Sequence, residues 1–249
     1  MRKQIPNIIT LLNLFCGCGA LVNILYGDFL HAFSFIFIGG LADYSDGMVA
    51  RWLNVKSPFG KELDSIADMV TFGVVPGAIL YMLINFRLNA ADVGDSLSNQ
   101  LMMEQSFSWL ALPAFFISAF AAIRLAKFNL DTRQSDQFIG LNTPACTMFV
   151  VGIMLIFHFD SFGLRPYVSN LYFLYALIPI LSFLLVSELP MMAFKFKGLK
   201  WKGNERRFIF IFSGVVLIAI LREVALSLVI LIYILFSIFE YFFTPKSTT

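Results

Sequence analysis

The sequence predicts an all-α protein that lives in a membrane, a polytopic integral membrane helix bundle of about eight transmembrane helices with both termini cytoplasmic. Three observations carry this reading. Of 249 residues, 59% are hydrophobic and 14% charged, with a mean hydropathy of +0.80, which does not suit a soluble domain. Uncharged apolar runs recur along the chain, several of them long enough to cross a hydrocarbon layer of about 30 Å. The basic residues between those runs are unevenly shared. One side receives Arg2, Lys3, Arg51, Lys56, Lys61, Arg124, Lys127, Arg133, Lys195, Lys197, Lys200, Lys202, Arg206, Arg207 and Lys246, and the other only Arg87, Arg165 and Arg222, a split of 15 to 3. Lys and Arg accumulate on the cytoplasmic side of membranes, which sets the orientation.

Span one follows a short basic head and opens near Pro6. Residues 8–26 carry no charge over 19 positions, and no small-residue cleavage site follows, so a retained helix is expected rather than a signal peptide. Gly17, Gly19 and Ala20 would let another helix approach closely. Cys16 and Cys18 fall on different faces of this helix, and three cysteines in all make neither a disulfide framework nor a convincing metal site. Span two starts near Phe29. Span three starts at Pro58 and ends near Asn85, with Gly73, Pro76 and Gly77 predicting a close helix contact and a kink. Residues 86–105 are polar and are expected to form a non-cytoplasmic loop.

Span four covers about Phe107 to Phe128. Thr143-Pro144 reads as a cap and first-turn proline opening span five, which runs to about Phe159. Spans six, seven and eight are expected near 170–186, 208–221 and 224–243, the seventh being short for a crossing at 14 uncharged residues. The run from Phe194 to Lys202 interleaves aromatic and basic residues, as an interfacial belt with snorkelling lysines does. His31 and His158 stand alone among apolar residues and are expected to pack rather than react.

The chemistry is concentrated between Asp43 and Asp68. On a helix advancing 100° per residue, Asp43, Asp46, Gly47 and Ala50 share a face with Arg51 at its margin. Gly60, Asp64 and Asp68 form a second stripe at i, i+4 and i+8. Ser57-Pro58 fits an N-cap and first-turn proline, so one helix should end near Asn54 and another begin at Pro58, bringing the two acidic faces together across a tight hairpin. Four converging carboxylates repel, and each costs about 2.5–3.5 kcal/mol near membrane depth, so a cation belongs between them. Oxygen ligands select a hard divalent ion, Mg²⁺ or Mn²⁺, and that ion points to a phosphate-bearing substrate. Gly47, Ala50 and Gly60 leave room for a bulky ligand against the backbone. The bland alternative is four solvated aspartates paired with Arg51, Lys56 and Lys61.

The run resembles the signature of the CDP-alcohol phosphatidyltransferases, D-x-x-D-G-x-x-A-R-x8-G-x-x-x-D-x-x-x-D, with every fixed position matched. Pro6-Asn7-x-x-Thr10-Leu11-x-Asn13, the stretch Phe59 to Asp68, Phe72-Gly73-Val74, Arg124 to Asn129 and Gly140-Leu141 are similar to the serine-using bacterial branch of that family, over roughly residues 1–190. Asn142 departs from it, since proline usually follows Gly-Leu there. The resemblance implies a six-helix catalytic membrane domain over 1–190, with 191–249 adding the basic interfacial segment and two further transmembrane helices. It implies transfer of a phosphatidyl group from CDP-diacylglycerol to L-serine with release of CMP, on the cytoplasmic face of the inner membrane, among membrane lipid and without nucleic acid. Two ions, Mg²⁺ or Mn²⁺, would be held by Asp43, Asp46, Asp64 and Asp68, with Asp68 also the catalytic base. Gly47, Ala50, Arg51, Gly60, Asn7 and Thr10 would bind CDP-diacylglycerol, and Arg124, Lys127 and Asn129 the serine. A homodimer is expected by the same analogy.

Two alternatives stay open. Another acceptor, of the glycerol 3-phosphate or inositol type, would keep the family and change the product. A divalent-cation transporter would use the same carboxylates as a transit site. It would leave Arg51 and the small residues unexplained.

Overall fold

A computed structural model describes residues 4–55, 57–90, 107–130, 138–191 and 205–243. The chain is a helical membrane protein. Its helices are α1 (Ile5–Leu25), α2 (Phe29–Trp52), α3 (Pro58–Asp68), α4 (Val75–Ala90), α5 (Phe116–Leu130), α6 (Thr143–Phe159), the short α7 (Arg165–Val168), α8 (Leu171–Val186), α9 (Glu205–Leu221) and α10 (Val224–Phe243). Among the described residues, three continuous helices are long and apolar enough to cross a bilayer by themselves: Ile5–Leu25, Pro58–Asn89 and Trp109–Leu130. Shorter apolar helices account for Thr143–Phe159, Leu171–Val186, Phe212–Leu221 and Val224–Phe239. The basic aromatic run at 194–202 lies outside the described residues.

The third span is one helix in three parts, because a π-helical turn, Met69–Val74, joins α3 to α4. Pro76 explains part of this. It has no N–H to offer the carbonyl of Phe72 four residues back. The Thr147 hydroxyl of α6 donates to that carbonyl at 2.9 Å, so the disruption is satisfied from a neighbouring helix. The helix then runs to Ala90 rather than ending near Asn85, so 86–90 are helical and only the rest of the expected loop, which lies outside the described residues, remains. Span four likewise opens with a tighter turn, the 3₁₀ segment Trp109–Phe115 that contains Pro113.

Span five begins at Thr143 as expected, but the cap sits one residue earlier. Asn142 is in extended conformation and its side chain accepts from the Ala145 N–H at 3.0 Å, with Thr143 and Pro144 inside the first turn. The residue that departs from the family pattern is therefore the one that caps the helix.

The middle of the bundle is α4 and α6. Val75, Ile79, Leu80 and Leu83 of α4 and Val150, Val151 and Met154 of α6 are fully buried, while Phe15, Leu25, Phe37 and Phe183 on the surrounding helices stay exposed, as lipid-facing side chains do. Small residues set the approach distances. Gly73 faces Ala121 and Gly77 faces Ser118, so the Gly73-x-x-x-Gly77 stripe seats α5. A two-residue antiparallel pair, β1 (Phe138–Ile139) with β2 (Pro190–Met191), ties the approach to α6 to the segment after α8.

The two histidines lie away from the acidic motif. The His31 ring is 2.7 Å from Asp28, the N-cap of α2, whose carboxyl is held below its usual range by the His31 backbone N–H. The His158 ring stands edge-to-face against Phe29 at 6.1 Å. Cys16 is buried and Cys18 exposed, on opposite faces of α1.

Candidate active site

The acidic hairpin forms because its turn residues allow it. α2 ends at Trp52, and Asn54 takes a left-handed backbone (φ 54°) that asparagine tolerates better than most residues. Ser57 then caps α3, its hydroxyl accepting from the Gly60 N–H at 2.9 Å, with Pro58 in the first turn. This folds the second acidic stripe back against the first. Asp43, Asp64 and Asp68 come together, each offering an oxygen within 4.8 Å of the others.

Asp46 is buried and takes a different partner. Its Oδ2 accepts from the Thr10 hydroxyl of α1 at 2.5 Å. Asp68 is also reached from α1, its Oδ1 accepting from Asn13 Nδ2 at 3.3 Å. Among the described residues no cationic side chain forms an ion pair with any of the four aspartates. Arg51 is exposed, with its guanidinium beside Gly47, and Lys61 donates to the Asn129 carbonyl at 2.9 Å. Lys56 lies outside the described residues. The pairing with Arg51 and Lys61 that would make these aspartates ordinary surface groups is absent. Three convergent hard oxygen donors without a counter-cation suit a divalent ion of the Mg²⁺ or Mn²⁺ kind.

Beside the carboxylates opens a cavity of about 470 Å³ lined by Asn7, Thr10, Asp46, Gly47, Ala50, Gly60, Lys61 and Asp64 together with Pro6, Val55, Ser57 and Pro58. Five of the six residues expected to contact the donor are in that wall, and Arg51 is next to it. Lys61, which the sequence offers only as a counter-ion to the aspartates in the bland alternative, lines the cavity as well. Its place directly after Gly60 in the acidic stripe is the signal that could have found it.

The three residues expected at the acceptor are placed differently from one another. Asn129 reaches α3, its Nδ2 donating to Ser65 Oγ at 2.8 Å while its carbonyl receives Lys61. Lys127 is exposed. Arg124 is buried, and its guanidinium donates through Nε to the Leu141 carbonyl and through Nη2 to that of Gly140 at 3.5 Å. Those bonds fasten α5 to the backbone ahead of α6.

Comparison with known proteins agrees with the motif. A sequence model of the CDP-alcohol phosphatidyltransferase family matches residues 3–238. A Helicobacter pylori CDP-diacylglycerol–serine O-phosphatidyltransferase is 31% identical over 243 residues, 96% of this chain and 91% of its own length. The Bacillus subtilis protein of that name is 36% identical over 149 residues, 60% of this chain and 74% of its own. The Methanocaldococcus jannaschii one is 29% identical over 239 residues, 95% and 94% of the two chains.

Proposed function

The chain belongs to the CDP-alcohol phosphatidyltransferase family, and on that premise we propose that it makes phosphatidylserine and CMP from CDP-diacylglycerol and L-serine. The names of the relatives supply the acceptor. The observation that carries the chemistry is the convergence of Asp43, Asp64 and Asp68 at the edge of a cavity walled by Asp46, Gly47, Ala50 and Gly60.

In this reading the cavity takes the cytidine diphosphate end of the donor, with its small residues letting the ligand lie against the helix backbones. Arg51 and Lys61 offer positive charge to the diphosphate. The serine hydroxyl oxygen attacks the phosphorus that carries the diacylglycerol. The bond from that phosphorus to the bridging oxygen breaks, and CMP leaves with the electron pair. Asp68 accepts the hydroxyl proton, since a neutral hydroxyl is a poor nucleophile at ordinary pH. Two divalent ions held by Asp43, Asp46, Asp64 and Asp68 would supply neutralisation of the charge that grows on the leaving phosphate. Arg124, Lys127 and Asn129 at the end of α5 are assigned to the acceptor side, Asn129 through its bond to α3 and Arg124 through the backbone it fastens at 140–141.

We place the site at the cytoplasmic surface of the inner membrane, in an eight-span chain with both termini cytoplasmic. Residues 1–190 form the catalytic six-helix domain, 191–249 add two spans, and two copies associate. The charge asymmetry supports the orientation. The test supplies CDP-diacylglycerol with labelled serine, glycerol 3-phosphate or inositol in parallel and identifies the lipid formed. Phosphatidylserine is expected, and phosphatidylglycerophosphate as the main product would overturn the serine assignment while leaving the family intact.

A further inference from the structure

Asn13 is fully buried on α1, one turn beyond Thr10, and the two halves of its amide are treated unequally. Nδ2 donates to Asp68 Oδ1 at 3.3 Å, whereas Oδ1 is buried without a hydrogen-bond partner. The opposite amide orientation would set its oxygen against an oxygen of the ionised Asp68, so the N–H side faces the carboxylate. Space is tight on the far side as well: a Cβ at Gly39 would lie 3.2 Å from Asn13 Oδ1. The main chain of Asn13 is held separately, its carbonyl accepting from Thr71 Oγ1 at 3.1 Å.

A buried acceptor left unpaired destabilises a fold, and a leucine of similar size would avoid that cost. What asparagine adds at this position is the N–H on Asp68. Asp68 is the last residue of α3, with regular helical backbone, and stands where the helix passes into the π-helical turn at Met69. With Oδ1 engaged, the carboxylate can no longer rotate freely, and its remaining lone pairs keep one direction among Asp43 and Asp64.

We propose that Asn13 is a positioning residue, holding the Asp68 carboxylate through Nδ2 in the orientation that transfer requires. This rests on the assignment of Asp68 as metal ligand and proton acceptor. The experiment compares the full-length parent with Asn13→Leu, Asn13→Ala and Thr71→Val in proteoliposomes. It measures kcat, both KM values, thermal unfolding and Mn²⁺ affinity by electron paramagnetic resonance.

Both Asn13 variants should lose about 10–100-fold in kcat, as loss of a partner behind a ligating group does. KM for either substrate should move by less than about threefold, the pattern of an interaction needed in the transition state. Asn13→Leu should unfold at the parent's temperature or above it. Thr71→Val, which removes only the main-chain contact, should keep kcat within about twofold. Retention of kcat in both Asn13 variants, losses that track a lowered unfolding temperature, or an equal loss in Thr71→Val would overturn the proposal. A parent that makes a different CDP-alcohol product refutes the serine assignment alone, and Asn13 is then scored on that product. With a parent inactive on every acceptor, weaker Mn²⁺ binding by the Asn13 variants sustains the proposal and parental affinity overturns it.

Discussion

Asparagine at Asp43, Asp46, Asp64 or Asp68 preserves the side chain's shape and removes one negative charge from a group that no described cation balances. Each substitution should lower transfer on the order of 100-fold or more, the scale of losing one electrostatic contact to a developing charge. None should lower the unfolding temperature, because removing a like charge from a crowded site relieves repulsion. Activity of the parent should vanish with chelator and return with Mg²⁺ or Mn²⁺ but poorly with Ca²⁺, whose larger, looser coordination does not reproduce the octahedral demand. Four Asn variants with near-normal transfer, or full turnover in chelator, would refute the metal site. The helical period made these four residues and the small residues beside them legible, since i, i+4 and i+8 spacing fixes a stripe whatever the helix packs against. Partners from other helices were not legible. That Thr10 bonds Asp46, that Asn13 bonds Asp68 and that Arg124 fastens the backbone at 140–141 depends on how α1 and α5 are rotated, which apolar composition does not specify.

At the scale of elements, local signals worked where the chemistry is local. Ser57-Pro58 marks the start of α3 because a hydroxyl cap and a first-turn proline need nothing beyond the next three residues. The cap of α6 lies one residue before the expected Thr143, since Asn142 and Thr143 are both good caps and the helix takes the one that leaves Thr143 and Pro144 in its first turn. The π-helical turn had no signal other than Pro76, because the group that satisfies Phe72 comes from a helix 75 residues away. The Thr147 hydroxyl lies 2.9 Å from the Phe72 carbonyl and 3.0 Å from its own Thr143 carbonyl, so Thr147→Val keeps the volume and removes the donor. Leaving the Phe72 carbonyl unpaired should cost about 1–3 kcal/mol, read as a lower unfolding temperature in detergent. An unchanged temperature would show that the carbonyl is satisfied without Thr147.

For the whole molecule, composition was enough to establish a helical membrane protein but could not rank its helices. In lipid both the interior and the exterior of a bundle are apolar, so apolar content does not mark the centre: central α4 carries Asn85, Arg87 and Asn89, whereas α8, whose Phe183 stays exposed, has no charged or amide side chain. Orientation is a different kind of signal, carried by charges at the ends of spans rather than by packing, and it yields a prediction independent of every contact described above. If the 15 to 3 division of Lys and Arg sets the topology, position 95 lies outside the cytoplasm, while positions 197 and 247 share the cytoplasmic side with the acidic hairpin. Single cysteines can be placed at Asp95, Lys197 and Ser247 in a form whose Cys16, Cys18 and Cys146 are replaced by alanine. A membrane-impermeant maleimide applied to intact spheroplasts should label only position 95, and lysis should expose the other two. Labelling of position 247 from outside would imply an odd number of crossings and remove the seventh span, where only 14 uncharged residues separate Arg207 from Arg222. Labelling of 197 from outside with 95 protected would invert the whole bundle and turn the carboxylate site away from the compartment that supplies a CDP-linked substrate.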